Sequence, residues 1–147
     1  MSGLLLDTSA KIVQKMLWDM GFATRPEDNL AWPLYYHYLP DKPDDAIVIY
    51  DTAGILEGRT HTDGFTQEKY GLTVTIRANA PVGQITKFRQ LLLLWDTQVL
   101  RRAVILGANH YNVQAITRKS ETYTGKELPT TERTLANSNV IASIDML

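Results

Sequence analysis

The sequence predicts an α+β domain in which two helices cover a mainly antiparallel β-sheet with long inter-strand loops. Three observations lead there. Apolar residues recur at helical spacing in two separated segments, 12–20 and 85–95. Between and after these segments come runs of β-favouring residues, with period-two alternation clearest at Leu72, Val74, Ile76 and Ala78. The order is therefore helix, strands, helix, strands, which differs from the regular alternation of a parallel α/β sheet. At 147 residues, a single domain spanning 1–147 is expected, large enough to form a core without staples.

The elements follow in chain order. In "DTSAKIVQKMLWDMG", Ile12, Val13, Met16, Leu17 and Met20 form one stripe, with Lys11, Gln14, Lys15 and Asp19 outside it. Asp7, Thr8 or Ser9 can cap this helix, and Gly21 suits the left-handed turn after it. "ATRPEDN" reads as a loop. The aromatic run "LAWPLYYHYLP" reads as a strand that Pro33 holds to an edge or a start. "DKPDD" is turn chemistry, and "AIVIY" is a short apolar run typical of a strand covered on both faces. Segment 51–66 is expected to be a long loop or an extended hairpin. Residues 67–78 then form a strand, and a second helix runs from Pro81 to Asp96, burying Ile85, Phe88, Leu91, Leu92 and Trp95. "RRAVILGANHYNVQAITRK" is a hairpin turning at Gly107-Ala108-Asn109. "SETYTGKELPTTE" is a polar loop, again a candidate extended hairpin, and "NSNVIASIDM" is the final strand.

Composition narrows the function. The chain has no cysteine, which removes disulfides and thiolate metal sites. A net charge of −1 gives no electrostatic footprint for gripping nucleic acid. No apolar run approaches the ~20 residues that span a bilayer, and the start lacks a basic leader, so a soluble, non-secreted protein made in the cytoplasm is expected. His37, His61 and His110 have no ligand spacing among them, and no phosphate loop or nucleophile elbow is present. His61 with Asp63 supplies half a metal site at most, and Asp44, Asp45 and Asp51 read as strand-flanking turn residues. Arg101 and Arg102, adjacent in a strand, face opposite ways and make a weak patch. No cofactor and no catalytic residue is expected.

The surface composition points to assembly instead. Tyrosines and tryptophans are plentiful, Tyr35, Tyr36 and Tyr38 crowd one strand, and Tyr123 stands in a polar segment. Such side chains bury large area at little entropic cost, which suits interfaces. The two threonine-rich segments carry few apolar residues, so they are expected to be flexible alone and ordered by a neighbour. Candidate interface residues are Arg59, His61, Asp63 and Phe65 on the first, and Tyr123, Lys126, Glu127 and Leu128 on the second.

Several stretches together resemble the tail terminator (minor capsid, tail completion) proteins of long-tailed bacteriophages. They are "KPDDAIVIYDTAG", "EKYGLTVTIRANA" and "NVQAITRKSETYTGKELPTTERTLANSNVIASI", covering residues 40 to 147. The family pattern of an acidic-proline turn and an apolar strand ending Tyr-Asp-Thr-x-Gly is matched by Tyr50, Asp51, Thr52 and Gly54. Before the last strand the family often has adjacent basic residues and an aromatic, where this chain has "TERTLANSN". The resemblance implies a structural virion protein, not an enzyme. It implies a ring of this chain, usually hexameric, at the head-proximal end of the tail tube, which stops tube growth and joins the head. Its partners would be other copies of itself, the tail tube protein and a head-completion or stopper protein, with DNA passing through the lumen unheld. The alternatives are another head–tail connector component, a stopper or tube protein, and a small metal-dependent enzyme.

Overall fold

The computed structural model describes residues 5–59, 66–79, 81–126 and 133–146. Helix α1, Ser9–Asp19, begins where the Thr8 side chain accepts from the Lys11 amide, satisfying one of the donors a helix start leaves unpaired. It ends at Met20, and Gly21 takes the expected left-handed conformation at φ 75°. Ile12, Val13, Met16 and Leu17 of its apolar stripe are buried as predicted, but Met20 is only partly so, and Gln14, expected outside the stripe, is buried with its amide donating to the Leu34 carbonyl.

Six strands form one sheet in the order β1-β2-β3-β6-β5-β4. They are β1 Leu34–Tyr36, β2 Ala46–Arg59, β3 Thr66–Ala78, β4 Leu100–Leu106, β5 Asn109–Lys126 and β6 Thr134–Met146. Every pairing is antiparallel except β1 with β2, so the predicted α+β class holds. Pro33 stands immediately before the short edge strand, and its carbonyl accepts from the Ile47 amide. Residues Ala46, Ile47, Val48 and Ile49 are all buried, as a strand covered on both faces requires. The β4–β5 hairpin turns on Gly107-Ala108 alone, because Asn109 already pairs with Leu106. Gly107 provides the positive φ, 58°, that a two-residue hairpin turn needs.

Two expectations need correction. Residues 51–59 and 119–126 are strand, not loop: β2 pairs out to Arg59–Thr66, and β5 pairs out to Lys126–Thr134. Of the two readings held open, the extended hairpin is the one observed; its threonines favour strand, and backbone pairing carries it through the glycines. The second correction concerns helix α2, Pro81–Thr97, whose buried face is Gln84, Phe88, Leu91, Leu94 and Trp95. Leu92 is only partly buried and Ile85 is 45% exposed, so the inward face is rotated from the predicted stripe.

Both helices lie on one face of the sheet. There the helix side chains meet Ile47 and Ile49 of β2, Leu72, Val74 and Ile76 of β3, Ala136, Val140 and Ala142 of β6, and Tyr111 and Val113 of β5. The Trp95 indole donates to the Ser138 hydroxyl within this core, which satisfies both buried polar groups. On the opposite face, the segment 40–45 is fastened by two arginines. Arg77, 2% exposed, donates to the carbonyls of Pro40, Asp41, Pro43 and Asp44. Arg133 bonds the Asp41 and Asp44 carboxylates at 3.0 and 2.9 Å.

Candidate assembly surface

The two segments picked out as interface loops are the ends of two long hairpins. Arg59 closes β2 opposite Thr66, and Lys126 closes β5 opposite Thr134. His61, Asp63, Phe65, Glu127 and Leu128 lie outside the described residues, as do the side chains of Arg59 and Lys126. Tyr123 sits in β5 on the helix-bearing face, 55% exposed, with its ring edge-on to Phe88 at 5.1 Å between centroids. It is therefore a strand residue held against α2 rather than a loop anchor. The described ends of the two hairpins lie apart. β3 starts beside one hairpin end and finishes, at Ala78, beside Thr134 near the other. Along its 13 residues that separation is roughly 40 Å, at ~3.3 Å per residue.

Each outer strand is shorter than its neighbour, and among the described residues this leaves two strand edges without a partner. β1 pairs with β2 only from Leu34–Ile47 to Tyr36–Ile49. His37, at φ 58°, then turns the chain away after its amide bonds the Ile49 carbonyl. Beyond that point the outer edge of β2, through Arg59, has no strand partner among the described residues. On the far side β4 begins at Leu100, paired with Ala115, so β5 from Ile116 to Lys126 is likewise open along its outer edge. An unpaired row of N–H and C=O groups is a ready template for another strand. Sequence patterning could not reveal it, because edges follow from strand order and relative length.

The face away from the helices is polar. Thr73 and Thr75 donate to Asn139 and Asn137 at 2.7 and 2.5 Å, and Asn139 donates to Ser120 at 3.0 Å. This ladder ties β3, β6 and β5 together side chain to side chain.

A second cluster surrounds Asp51, which lies within β2 and does not flank a turn. Its Oδ1 accepts from the Ala10 amide at 2.8 Å and from the Ser9 hydroxyl at 2.9 Å. Its Oδ2 accepts from the Tyr36 hydroxyl at 3.0 Å and lies 3.0 Å from His37 Nε2. That same ring nitrogen is 2.9 Å from the Asp51 amide. Neutral His37 accepts from the amide, and protonated His37 donates to the carboxylate. Burial pushes the Asp51 carboxyl up, but the bonds from Ala10, Ser9, His37 and Tyr36 outweigh it and hold it below the ordinary aspartate range. The Tyr36 hydroxyl is raised, chiefly by burial, against the hydrogen bond to Thr8 and with help from Asp51. Ser9 is engaged by the carboxylate and not by the imidazole, so the set lacks the nucleophile–base contact of covalent catalysis. Its arrangement is a negative charge placed at the start of α1, stabilising the helix against its dipole.

Among the described residues, no group of three or more His, Asp or Glu is placed to hold a metal ion. No helix among them is long and apolar enough to cross a membrane.

No protein-family model matches the chain, and no curated protein matches it in sequence. It is similar to a solved structure that covers 99% of this chain and 97% of its own length, with a TM-score of 0.53 and 13% identity. At that identity the likeness is one of fold.

Proposed function

We propose that the chain is a structural component of a long-tailed bacteriophage virion, a tail terminator. Copies of it form a closed ring, hexameric in the family it resembles, on the head-proximal end of the tail tube. The ring stops tube polymerisation and offers a surface to the head-completion or stopper protein. The observation that carries this reading is the pair of free strand edges on opposite sides of one sheet. Two different edges on one protomer favour a heterologous, head-to-tail contact, and such contacts close into rings when the rotation allows. The two hairpin ends, lying at opposite ends of the sheet, supply separate places for separate neighbours. A net charge of −1 suits a lumen that DNA crosses without being held.

Negative-stain microscopy of the purified protein, with and without isolated tail tubes, tests the proposal. Rings that cap tube ends are the expected result. Binding only to head-side complexes would favour the stopper alternative, and a strictly monomeric protein with no affinity for tubes would remove both.

A further inference from the structure

Helix α2 is apolar on two sides and covered on one. Its inward face packs Phe88, Leu91, Leu94 and Trp95 into the core, yet Ile85 is 45% exposed and Leu93 61% exposed. Ile85, Arg89, Leu92, Leu93 and Asp96 recur at i, i+4, i+7, i+8 and i+11, which places them on one stripe of the helix. Arg89, Leu92, Leu93 and Asp96 line a shallow hollow of about 330 Å³ together with Arg118 of β5, so the stripe looks outward beside that strand. Leu100, 74% exposed, adjoins its end, sharing a second hollow with Asp96 and Arg118. A helix that is apolar all round belongs inside a core, and α2 has cover on its inward side alone.

The charges on the stripe select what covers it. Arg89 and Asp96 stand two helical turns apart, with Leu92 and Leu93 midway between them. Arg89 makes no hydrogen bond or ion pair among the described residues. Asp96 meets Arg118 through Oδ1 at 3.3 Å, an exposed pair of the kind that water weakens, and a carboxylate accepts at both of its oxygens. A basic end, an apolar middle and an acidic end make a surface that complements itself when turned end for end.

We propose that this stripe is a contact between two copies of the chain, α2 packed antiparallel on α2 about a two-fold axis passing between Leu92 and Leu93. That axis sets Arg89 of each copy against Asp96 of the other, so the charge pair forms twice. Leu92 and Leu93 then fill the centre, and Ile85 meets the other copy's Leu100 at each end. A parallel pair would oppose Arg89 to Arg89 and Asp96 to Asp96, and like charges set face to face exclude it. The contact is isologous, whereas ring closure takes a heterologous one, so it stands apart from the ring reading.

The chain has no cysteine, so one introduced thiol reports its own neighbours. Leu93→Cys, close to the axis, should cross-link to its equivalent in a second copy when the full chain is mildly oxidised. Only a two-fold axis brings a residue within the ~7 Å that a disulfide spans of its own equivalent. Gln90→Cys, exposed on α2 outside the stripe, should stay uncross-linked. Adding Arg89→Glu or Asp96→Arg to Leu93→Cys should lower the cross-linked yield about tenfold, with the unfolding midpoint unchanged. Mixing those two charge variants should restore cross-linking between them, because each then meets an opposite charge at both pairs. Cross-linking indifferent to these charges, a loss that mixing does not repair, or equal cross-linking at Gln90→Cys overturns the inference. Rings on tube ends with Leu93→Cys uncross-linked remove the two-fold contact and leave the ring reading standing. Charge-dependent cross-linking in a protein that never caps tubes upholds the contact and sinks the ring.

Discussion

Replacing Asp51 with alanine should unfasten the start of α1 from the sheet. The substitution leaves the Ala10 amide, on a residue with no exposure, without its 2.8 Å acceptor, and an orphaned buried donor costs ~1–3 kcal/mol. It also removes a negative charge from a helix N-terminus, worth ~0.3–1 kcal/mol. The Tyr36 hydroxyl is less costly to strand, because it keeps its 2.9 Å contact with Thr8. The sum is a loss of roughly 1–4 kcal/mol at neutral pH by these terms. Urea unfolding followed by tryptophan fluorescence measures it directly. The pH dependence has a definite sign. A carboxyl whose folded pKa is depressed contributes stability that is fully present above its unfolded value, near ~3.9, and is lost as pH falls through the folded value. The difference between wild type and Asp51→Ala should therefore be largest at neutral pH and shrink below about pH 4. A loss under ~0.5 kcal/mol at pH 7, or one that stays constant into acid, would refute the capping account.

Other outcomes can be checked alongside. Leu91→Ala should destabilise by ~2–5 kcal/mol in the same urea assay, while Leu93→Ala on the exposed side of α2 stays within ~0.5 kcal/mol; equal effects would show the helix face is misassigned. Arg77→Met strands carbonyls of the 40–45 segment, so amide exchange in 41–46 should accelerate while that of α1 does not. Joint His61→Ala and Asp63→Ala substitution should leave metal content and assembly unchanged, because two ligands do not complete a coordination shell. Stoichiometric zinc in the native protein, lost on substitution, would reverse that expectation.

What the sequence disclosed depended on whether a residue's role was set locally. The α1 stripe and the alternation of Leu72 to Ala78 were legible because each buries one face at the period of its own element. The face of α2 was not, since Leu91 to Leu94 are four leucines in a row and fit either of two rotations. Residues 51–59 and 119–126 carry little apolar alternation, and what makes them strand is hydrogen bonding to partners distant in sequence. Asp51 resembled turn chemistry for the same reason, because its partners Ser9 and Ala10 lie 42 and 41 residues away. The left-handed backbone of Arg101 and the register shift of β5 between Val113 and Ala115 likewise leave no mark in composition.

The central β3–β6 pairing has a kinetic consequence. β2 with β3 is a hairpin, and β4, β5 and β6 form a meander, so each half of the sheet can be built from neighbours in the chain. The seam from Tyr70–Ala142 to Ala78–Thr134 is what joins them, across separations of 56 to 72 residues (134 − 78 and 142 − 70). Closing it demands loop entropy before its nine pairs repay anything, so the search for this seam should limit the folding rate. Substitutions that weaken Val74 or Val140 would then slow refolding, whereas those in the β4–β5 turn would chiefly hasten unfolding.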